Sequence, residues 1–368
     1  MSKRCVVFLA ILILFKVSYP EKRIPAFPGA EGFGMYAKGG RGGKVLCVTS
    51  LDDYDPEKED TIPGTFRWAC EQPGPRIVIF KVSGTIELKA PICISESYIT
   101  IAGQSAPGDG VCLKNSTLAL LGDREKEVTD VIVRYLRVRP GDNRAFIGDT
   151  TAPVRTDRAT NGNDGVTFRN VHNSIIDHCS VSWGVDENIE CIWHSKDVTI
   201  QWCISAEGLH KSTNRKGAHS KGLMVGYHTT NVTLHHNLIA HCVDRNPYLP
   251  ADNEYPHTID VVNNLVYNWW VRAGIAYPKT NHNGNVNFVG NYYIMGPTHG
   301  KNPALPSALT RGFLHEAISA RTGYARTRMN TMQSCGPDRS SATACNILAG
   351  SMPPKFQRSI ISRRMNLS

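Results

Sequence analysis

The sequence lacks an apolar run long enough to cross a membrane as a helix, and its longest such run is CVVFLAILILF at residues 5–15. Lys3 and Arg4 precede this run, which is the arrangement of a secretory signal peptide. We therefore expect residues 1–20 to be a signal peptide and the protein to be secreted and extracellular. The alternative interpretation of the run is a buried N-terminal helix. No membrane partner is expected.

The main part of the chain also lacks an excess of basic charge, although the whole chain has a formal net charge of +9. Residues 21–296 contain 28 basic and 30 acidic residues, whereas residues 297–368 contain ten basic residues and two acidic ones. A nucleic-acid-binding domain carries its positive charge as a patch or stripe on the folded surface. We therefore expect no nucleic acid partner, and any acidic polymer has to be bound by local charge.

Paired C-x-x-C spacings are absent among the eleven cysteines. Ten cysteines remain if Cys5 leaves with the signal peptide, and this even number permits disulfides in an oxidising compartment without fixing their pairing. An alternative interpretation is a zinc cluster formed by Cys179, Cys191, His194 and Cys203. Their spacing fits no paired zinc pattern, so we do not expect zinc there.

No segment with a helical period separates the apolar segments of the chain, and these segments resemble one another. Each is short, roughly alternating and rich in β-branched or aromatic residues, as strands are. Five can be superimposed: SIIDHCSVS (174–182), VTIQWCISA (198–206), VTLHHNLIA (232–240), IDVVNNLVYN (259–268) and VNFVGNYYI (286–294). Their shared central position carries Cys179, Cys203, Asn237, Asn264 and Asn291. One polar or small side chain therefore recurs once in each repeat.

Strands that recur every 24 to 34 residues without intervening helices exclude βαβ units, and the scarcity of Asn-Gly turns argues against a sandwich of hairpins. The remaining architecture is an all-β parallel solenoid with an internal ladder of asparagines. We expect GTFRWACEQ (64–72) to be a short helix that caps the first coil. The strand pattern covers residues 21–296, and the basic tail at 297–368 is either divergent or disordered.

Several separated motifs stand out along the chain: AFPGAEGFG (26–34), GGRGGKV (39–45), YITIAGQSAPG (98–108), IIDHCSVSW (175–183), VTLHHNLIA (232–240) and VVNNLVYNW (261–269). In this order they resemble motifs of the secreted pectate lyases of polysaccharide lyase family 1. This resemblance covers residues 26–296. It implies a right-handed parallel β-helix and an enzyme that cleaves polygalacturonate by β-elimination, with 4,5-unsaturated oligogalacturonates as products.

The resemblance also implies a calcium cofactor, because Ca²⁺ stabilises the charge that develops on a uronate carboxylate. Asp164, Asp186 and Glu190 fall on the calcium-ligand positions of the family. Gly162 stands where the family has a further aspartate, and Glu190 replaces the more usual aspartate. We therefore expect weak calcium binding in the absence of substrate. The alternative is that these acidic residues are only solvated.

The stretch HCVDRNPYLP (241–250) is expected to be a loop, since two prolines cannot donate ladder hydrogen bonds. By resemblance, Arg245 is the Brønsted base of the family motif Arg-x-Pro-x-x-Arg. A guanidinium group has a pKa above ~12 in water. An equally physical role for Arg245 is therefore to clamp an acidic substrate. Pro250 stands where the family has its second arginine.

HKSTNRKGAHSKGLMVG (210–226) interrupts the repeat and is expected to be a long loop, a common location for functional residues. By resemblance, Lys221 binds the substrate, and Lys216 is its rival on the same loop. The alternative for both lysines is a solvated basic loop.

Several other functions remain open at this point. His235 and His236 should lie mid-strand with side chains on opposite faces, and no serine or cysteine elbow accompanies them, so a hydrolase triad is unsupported. A β-helix polygalacturonase would need an acid–base pair of aspartates, which we do not find. A catalytically silent protein that binds acidic polysaccharide, or a lyase for another uronate polymer, is also compatible with the residues. We expect a monomer with an acidic polysaccharide as its partner.

Overall fold

The computed structural model describes residues 23–142, 164–214, 216–250, 257–276 and 285–297 of the 368 residues. The predicted signal peptide at 1–20 and the tail from residue 298 onward lie outside these ranges, and so does Gly162. In the part of the chain that is described, no helix is long and apolar enough to span a bilayer.

Three parallel sheets, named A, B and C here, run the length of the described chain, and every strand pair between successive coils is parallel. Sheet A contains Lys44–Val48 (β1), Arg76–Phe80 (β2), Ile99–Ala102 (β5), Val128–Thr129 (β8), Val131–Arg134 (β9), Val171–Asp177 (β12), Lys196–Gln201 (β15), Thr230–His235 (β18), Thr258–Val262 (β21) and Asn285–Val289 (β24). Sheet B contains Gly84–Glu87 (β3), Val111–Lys114 (β6), Leu136–Arg139 (β10), Ser180–Ser182 (β13), Ile204–Ala206 (β16), Leu238–Ala240 (β19), Leu265–Tyr267 (β22) and Tyr292–Ile294 (β25). Sheet C contains Ile92–Ile94 (β4), Leu118–Leu121 (β7), Val166–Arg169 (β11), Glu187–Ile192 (β14), Lys221–Val225 (β17), Tyr248–Leu249 (β20) and Ile275–Ala276 (β23). The chain passes from A to B to C in each coil, so the fold is the parallel β-helix that the sequence predicts.

Each of the five superimposed segments is two strands in different sheets, not one strand as predicted. The residue immediately before the ladder position has a left-handed backbone in every case, and this conformation turns the chain from sheet A into sheet B. The five residues are His178, Trp202, His236, Asn263 and Gly290, and their φ angles lie between 52° and 66°. The prediction that His235 and His236 lie within one strand was therefore wrong, because β18 ends at His235.

The predicted asparagine ladder is confirmed at these corners. Asn264 Oδ1 accepts hydrogen bonds from Asn237 N at 2.9 Å and from Asn237 Nδ2 at 3.0 Å. Asn264 Nδ2 donates to Leu234 O and to Asn291 Oδ1, both at 2.9 Å. The ladder thus satisfies buried backbone groups at a bend where the sheets cannot pair them.

Aliphatic side chains fill the interior by stacking on the same position of successive coils. In sheet A, the strand register aligns Val78, Ile101, Val133, Ile176, Ile200, Leu234 and Val261 in one row. All seven side chains are buried. Such a row removes apolar surface from water continuously along the axis, so each coil is stabilised by its neighbours.

The glycine-rich motifs near the N-terminus cover the outer face of sheet A. Gly34 N donates to Thr199 Oγ1 at 2.9 Å, and Gly40 N donates to Thr100 Oγ1 at 3.0 Å. A Cβ atom on Gly34 would lie 2.1 Å from Ser174 O, and one on Gly40 would lie 1.9 Å from Arg76 O. Glycine is therefore required here because the segment approaches the sheet backbone too closely for a side chain.

The predicted helix forms at Phe66–Glu71 (α1), where the Thr65 side chain accepts a hydrogen bond from Trp68 N. The helix packs against β1, β2 and β4 at the N-terminal end of the described sheets. Its Arg67 forms a buried ion pair with Asp53, with Nε and Nη2 each 2.8 Å from a carboxylate oxygen. That the helix caps the first coil stays a prediction.

Removing one ladder side chain should destabilise the fold measurably. Asn264→Ala leaves Asn237 N and Leu234 O without their ladder partner, and each unsatisfied buried group costs about 1–3 kcal/mol. We expect the free energy of unfolding in urea to fall by about 3 kcal/mol. Asn287→Ala is the matched control, since the Asn287 side chain donates to Asp260 at the exposed surface. Equal effects of the two substitutions would contradict the structural role of the ladder.

His235 should make the fold less stable in acid. Burial, together with the neighbouring His236, lowers the pKa of His235 to about 4. In the unfolded chain the same histidine takes up a proton near its ordinary pKa of about 6.5. The contribution of His235 to folding stability is therefore complete above that pH and is lost as the pH falls towards 4. We expect His235→Gln to reduce the difference in unfolding free energy between pH 7 and pH 4 by up to about 3 kcal/mol. A pH dependence that His235→Gln leaves unchanged would contradict this assignment.

Candidate active site

The predicted site residues lie together along sheet C. Asp164 lies two residues before β11, Asp186 directly precedes β14 and Glu190 lies within β14. The register pairs Thr167 with Glu190 across β11 and β14, and Glu187 with Lys221 across β14 and β17. In-register pairing therefore brings residues from separate coils into adjoining positions on one sheet.

The first group in the site is a pair of buried carboxyl groups, Asp164 and Glu190, each of which influences the pKa of the other. Burial and the neighbouring charges of Glu190 and Asp186 raise the pKa of Asp164 well above its ordinary value. Burial also raises the pKa of Glu190, although a hydrogen bond from Thr167 opposes the shift. Like charges held this close share a proton more readily than they ionise together. The same pair is chemically suited to oxygen-binding cations such as Ca²⁺.

Asp186, the third predicted metal ligand, is surrounded by basic side chains. Its Oδ2 lies 3.0 Å from Lys216 Nζ, and its Oδ1 lies 3.3 Å from His219 Nε2 and 3.9 Å from Arg245 Nη1. Burial lowers the pKa of Lys216, but the Asp186 carboxylate outweighs it, so the pKa of Lys216 is raised. Among the described residues, no group of three or more His, Cys, Asp or Glu side chains has the arrangement of a metal site. The predicted ligand set thus comprises a carboxyl pair and a separately paired Asp186.

The Arg245 side chain lies beside this cluster and contacts three neighbours. Its Nη1 forms an ion pair with Glu187 Oε1 and lies 3.7 Å from Met224 Sδ, and its guanidinium carbon lies 5.0 Å from the centre of the Tyr248 ring. Arg245 itself has a left-handed backbone with φ of 61°. The expected loop is shorter than predicted, because Tyr248–Leu249, between the two prolines, pairs with β17 and β23.

Lys221 is neutralised by a carboxylate that the sequence patterns did not single out. Lys221 Nζ lies 3.2 Å from Asp244 Oδ2, and Asp244 also accepts from Arg272 Nε at 2.8 Å and from Arg272 Nη2 at 2.5 Å. Burial raises the pKa of Asp244, but the hydrogen bonds of Arg272 and the charge of Lys221 lower it more, so the net shift is downward. The predicted loop at 210–226 ends at Ser220, because Lys221–Val225 pairs with β14.

Pro250 stands where the family pattern has an arginine, and its ring packs against Gly226, which follows β17 in sheet C. A Cβ atom added to Gly226 would lie 2.2 Å from Pro250 Cγ, so the ring occupies the space above this glycine. The position therefore presents a buried apolar ring and no charge.

Four residues of the site were not identified from the sequence: Glu187, His219, Asp244 and Arg272. Glu187 and Asp244 adjoin Asp186 and Arg245 in the chain, and acidic residues next to predicted site residues are the signal that could have found them. Arg272 belongs to no motif. Only the stacking of the turn after β22 on the turn after β19, where Val271 N donates to Val243 O at 2.7 Å, brings it to Asp244.

The alternative zinc cluster does not form among the described residues. Cys179 and Cys203 occupy neighbouring ladder positions, whereas Cys191 lies in β14. Asp177 is fully buried and bonds to Arg134 and Gln201, so its role is structural. Eight described cysteines are free: Cys47, Cys70, Cys93, Cys112, Cys179, Cys191, Cys203 and Cys242.

Comparison with known proteins identifies the relatives of this chain, although no family model matches it. The probable pectate lyase C of Aspergillus flavus is 37% identical over 301 residues, which cover 81% of this chain and 60% of that protein. The chain is related to the pectate lyases. The probable pectate lyase C of Aspergillus terreus is 33% identical over 305 residues, which cover 83% of this chain and 61% of that protein. Pectate lyase 1 of Juniperus ashei is 30% identical over 217 residues, 58% of this chain and 53% of that protein.

The chain thus spans about 60% of the length of the fungal pectate lyases it matches. Among solved structures, the cedar pollen allergen jun a 1 has a TM-score of 0.38 at 21% identity, and the match covers 74% of this chain and 84% of that one. A pectate lyase from Paenibacillus sp. 0602 has a TM-score of 0.43 at 14% identity, with 75% of this chain and 87% of that one covered. These likenesses are weak, and the β-helix is established by the strand pairing of this chain itself.

Proposed function

We propose that this protein is a secreted, calcium-dependent pectate lyase that cleaves polygalacturonate by β-elimination. The observation that carries this proposal is the arrangement on sheet C, where Arg245 and Lys221 lie beside the acidic cluster of Asp164, Asp186 and Glu190. An acidic polymer needs cations to bind its carboxylates, and elimination needs charge stabilisation at one of those carboxylates. The cations and the acidic cluster lie next to each other on sheet C, so both requirements are met at one place.

In this reaction a base removes the proton at C5, next to the uronate carboxylate, and the bond from C4 to O4 breaks as a double bond forms between C4 and C5. The leaving oxygen then takes up a proton. Arg245 is the residue proposed to act at C5, and Lys221 the one proposed to bind the substrate on the O4 side. Lys216, whose side chain is 62% exposed, is available to bind a carboxylate of the polymer. The products carry a 4,5-unsaturated uronate end.

Calcium, when bound, would supply positive charge that stabilises the uronate carboxylate as the proton leaves. Asp164 and Glu190 are the residues proposed to hold it, because their buried carboxyl groups oppose each other's ionisation and a cation would relieve that repulsion. Asp186 would join them by exchanging its contacts with Lys216 and His219 for the metal. Hard oxygen donors of this kind match the ligand preference of Ca²⁺.

A binding protein without catalytic activity is the second candidate. It is favoured by the ion pairs that neutralise Arg245 and Lys221 with Glu187 and Asp244, and by the uncharged ring of Pro250. Such a surface would hold acidic polysaccharide without directing a free base at C5. We further propose that residues 1–20 direct secretion, that residues 21–296 form the functional domain, with 297–368 as a divergent basic tail, and that the protein acts as a monomer.

Elimination produces unsaturated uronate ends, whose ultraviolet absorbance provides a direct assay. We expect the absorbance to rise when the protein acts on polygalacturonate with Ca²⁺, and the rate to fall about 10²–10⁴-fold in Arg245→Lys, since loss of a positioned acid–base group has effects of this size. Arg41→Lys, a substitution on the N-terminal segment, should leave the rate unchanged. Polymer binding without any absorbance rise would establish the binding protein instead.

Calcium should stabilise the folded protein in the absence of substrate. A ligand that binds only the folded state raises its stability by about 2.7 kcal/mol at 100 times its Kd. We expect the melting temperature to rise with added Ca²⁺ and to return to its starting value with chelator. The double variant Asp164→Asn, Glu190→Gln should lose this response, whereas Glu87→Gln on sheet B should retain it. A response that survives in the double variant would place the cation elsewhere.

A further inference from the structure

Glu187 is the strongest candidate for a role that the proposed function leaves unassigned. Its side chain is 4% exposed, yet it carries a carboxylate whose Oε1 is paired with Arg245 Nη1. Burying a carboxylate is unfavourable unless a partner compensates its charge. The pairing between these two residues therefore has to be maintained for the carboxylate to stay where it is.

The backbone fixes Glu187 firmly on sheet C. Glu187 N donates to Asp164 Oδ1 at 3.0 Å, and Glu187 O accepts from Gly165 N at 3.1 Å. On the other side, Glu187 is in register with Lys221 at the start of β17. A residue held by pairing with both neighbouring coils presents its carboxylate from a defined position.

Arg245, by contrast, follows the short strand β19 in a turn and reaches over the sheet by its side chain. Two further contacts of its side chain, with the Met224 sulfur and the Tyr248 ring, are weak and carry no full charge. Asp186 Oδ1, at 3.9 Å, is more distant and already lies next to Lys216 and His219. Glu187 is thus the principal determinant of where the guanidinium group lies.

We propose that Glu187 is the positioning residue for Arg245, and that its carboxylate fixes the guanidinium group over sheet C before substrate binds. The catalytic meaning of this inference rests on the proposed lyase function. The Glu187 carboxylate and a uronate carboxylate are acceptors for the same guanidinium donors, so Glu187 both orients Arg245 and competes with the polymer for it. Orientation in advance lowers the reorganisation needed in the reaction, whereas competition weakens binding of the ground state.

Kinetics should separate positioning from mere structural support. In Glu187→Gln, at saturating Ca²⁺, we expect kcat for polygalacturonate to fall about 10-fold or more while KM stays the same or decreases. In an Arg245→Lys background the same substitution should have little further effect, because residues that act as a unit are non-additive. Glu187→Asp should recover part of kcat, since it restores the charge on a shorter side chain. A fold-loss that is equal in both backgrounds would overturn the proposal.

A chemical measurement tests the same contact without any lyase activity. Phenylglyoxal modifies accessible arginines, and peptide mass spectrometry reports the rate at each one. We expect modification of Arg245 to be several-fold faster in Glu187→Gln than in the wild type. Arg67, buried in its pair with Asp53, is the internal reference, and Glu87→Gln, which removes an exposed carboxylate paired with Lys114, is the matched charge control.

The two measurements distinguish the failure of this inference from the failure of the proposed function. If the wild type shows no elimination but Arg245 becomes more reactive in Glu187→Gln, the contact is established and the lyase proposal is wrong. If the wild type is a lyase but Arg245 reactivity is unchanged in a Glu187→Gln variant with a normal melting temperature, the positioning role is wrong. If that variant melts early, Glu187→Asp provides the same comparison in a protein that keeps the charge.

Discussion

In-register parallel pairing between successive coils is the constraint on which the rest of this structure depends. It aligns Val78 with Ile101 and each later member of the aliphatic row, and it places Asn237, Asn264 and Asn291 within hydrogen-bonding distance of one another. A left-handed residue before each ladder position makes the corner possible. Because a shift by one residue would turn the aliphatic row outward and separate the ladder amides, core and corners select the same register.

The candidate site follows from that register. Asp164, Glu187 and Lys221 are separated in the chain but adjoin in the sheet, since β11, β14 and β17 are neighbours. Two acidic residues on successive coils therefore adjoin a lysine on the next, and the pairs Glu187–Arg245 and Lys221–Asp244 connect separate coils. The resulting site is nearly neutralised internally, so an acidic polymer has to compete with Glu187 and Asp244 for the cations.

Much of this architecture could be predicted from the sequence, because the repeat and its ladder residue are local patterns. The asparagine ladder and the helix at Phe66–Glu71 are confirmed. The division of each segment into two strands was missed, since a left-handed His178 or Trp202 has no signature in composition.

The site was predictable in part for the same reason. Asp164, Asp186, Glu190, Lys216, Lys221 and Arg245 fall on recognisable motifs, and the structure brings all of them to one edge of sheet C. Which cation pairs with which carboxylate could not be read in advance, since Glu187 lies 58 positions from Arg245 and Arg272 lies 28 positions from Asp244. Pairings over such distances depend on how the turns between sheets B and C stack.

Those turns have a further consequence for how such a molecule varies. From Cys203 to Asn237 one coil is 34 residues long, ten more than the preceding coil from Cys179, and the difference lies in residues 207–220 between β16 and β17. The extra residues leave the perimeter of the three sheets unchanged, because both ends of the insertion stay in register. Lys216 and His219 are carried on this insertion. Natural variation or engineering can therefore replace the residues around Asp186 by changing the length and composition of a single turn, while the three sheets keep their shape.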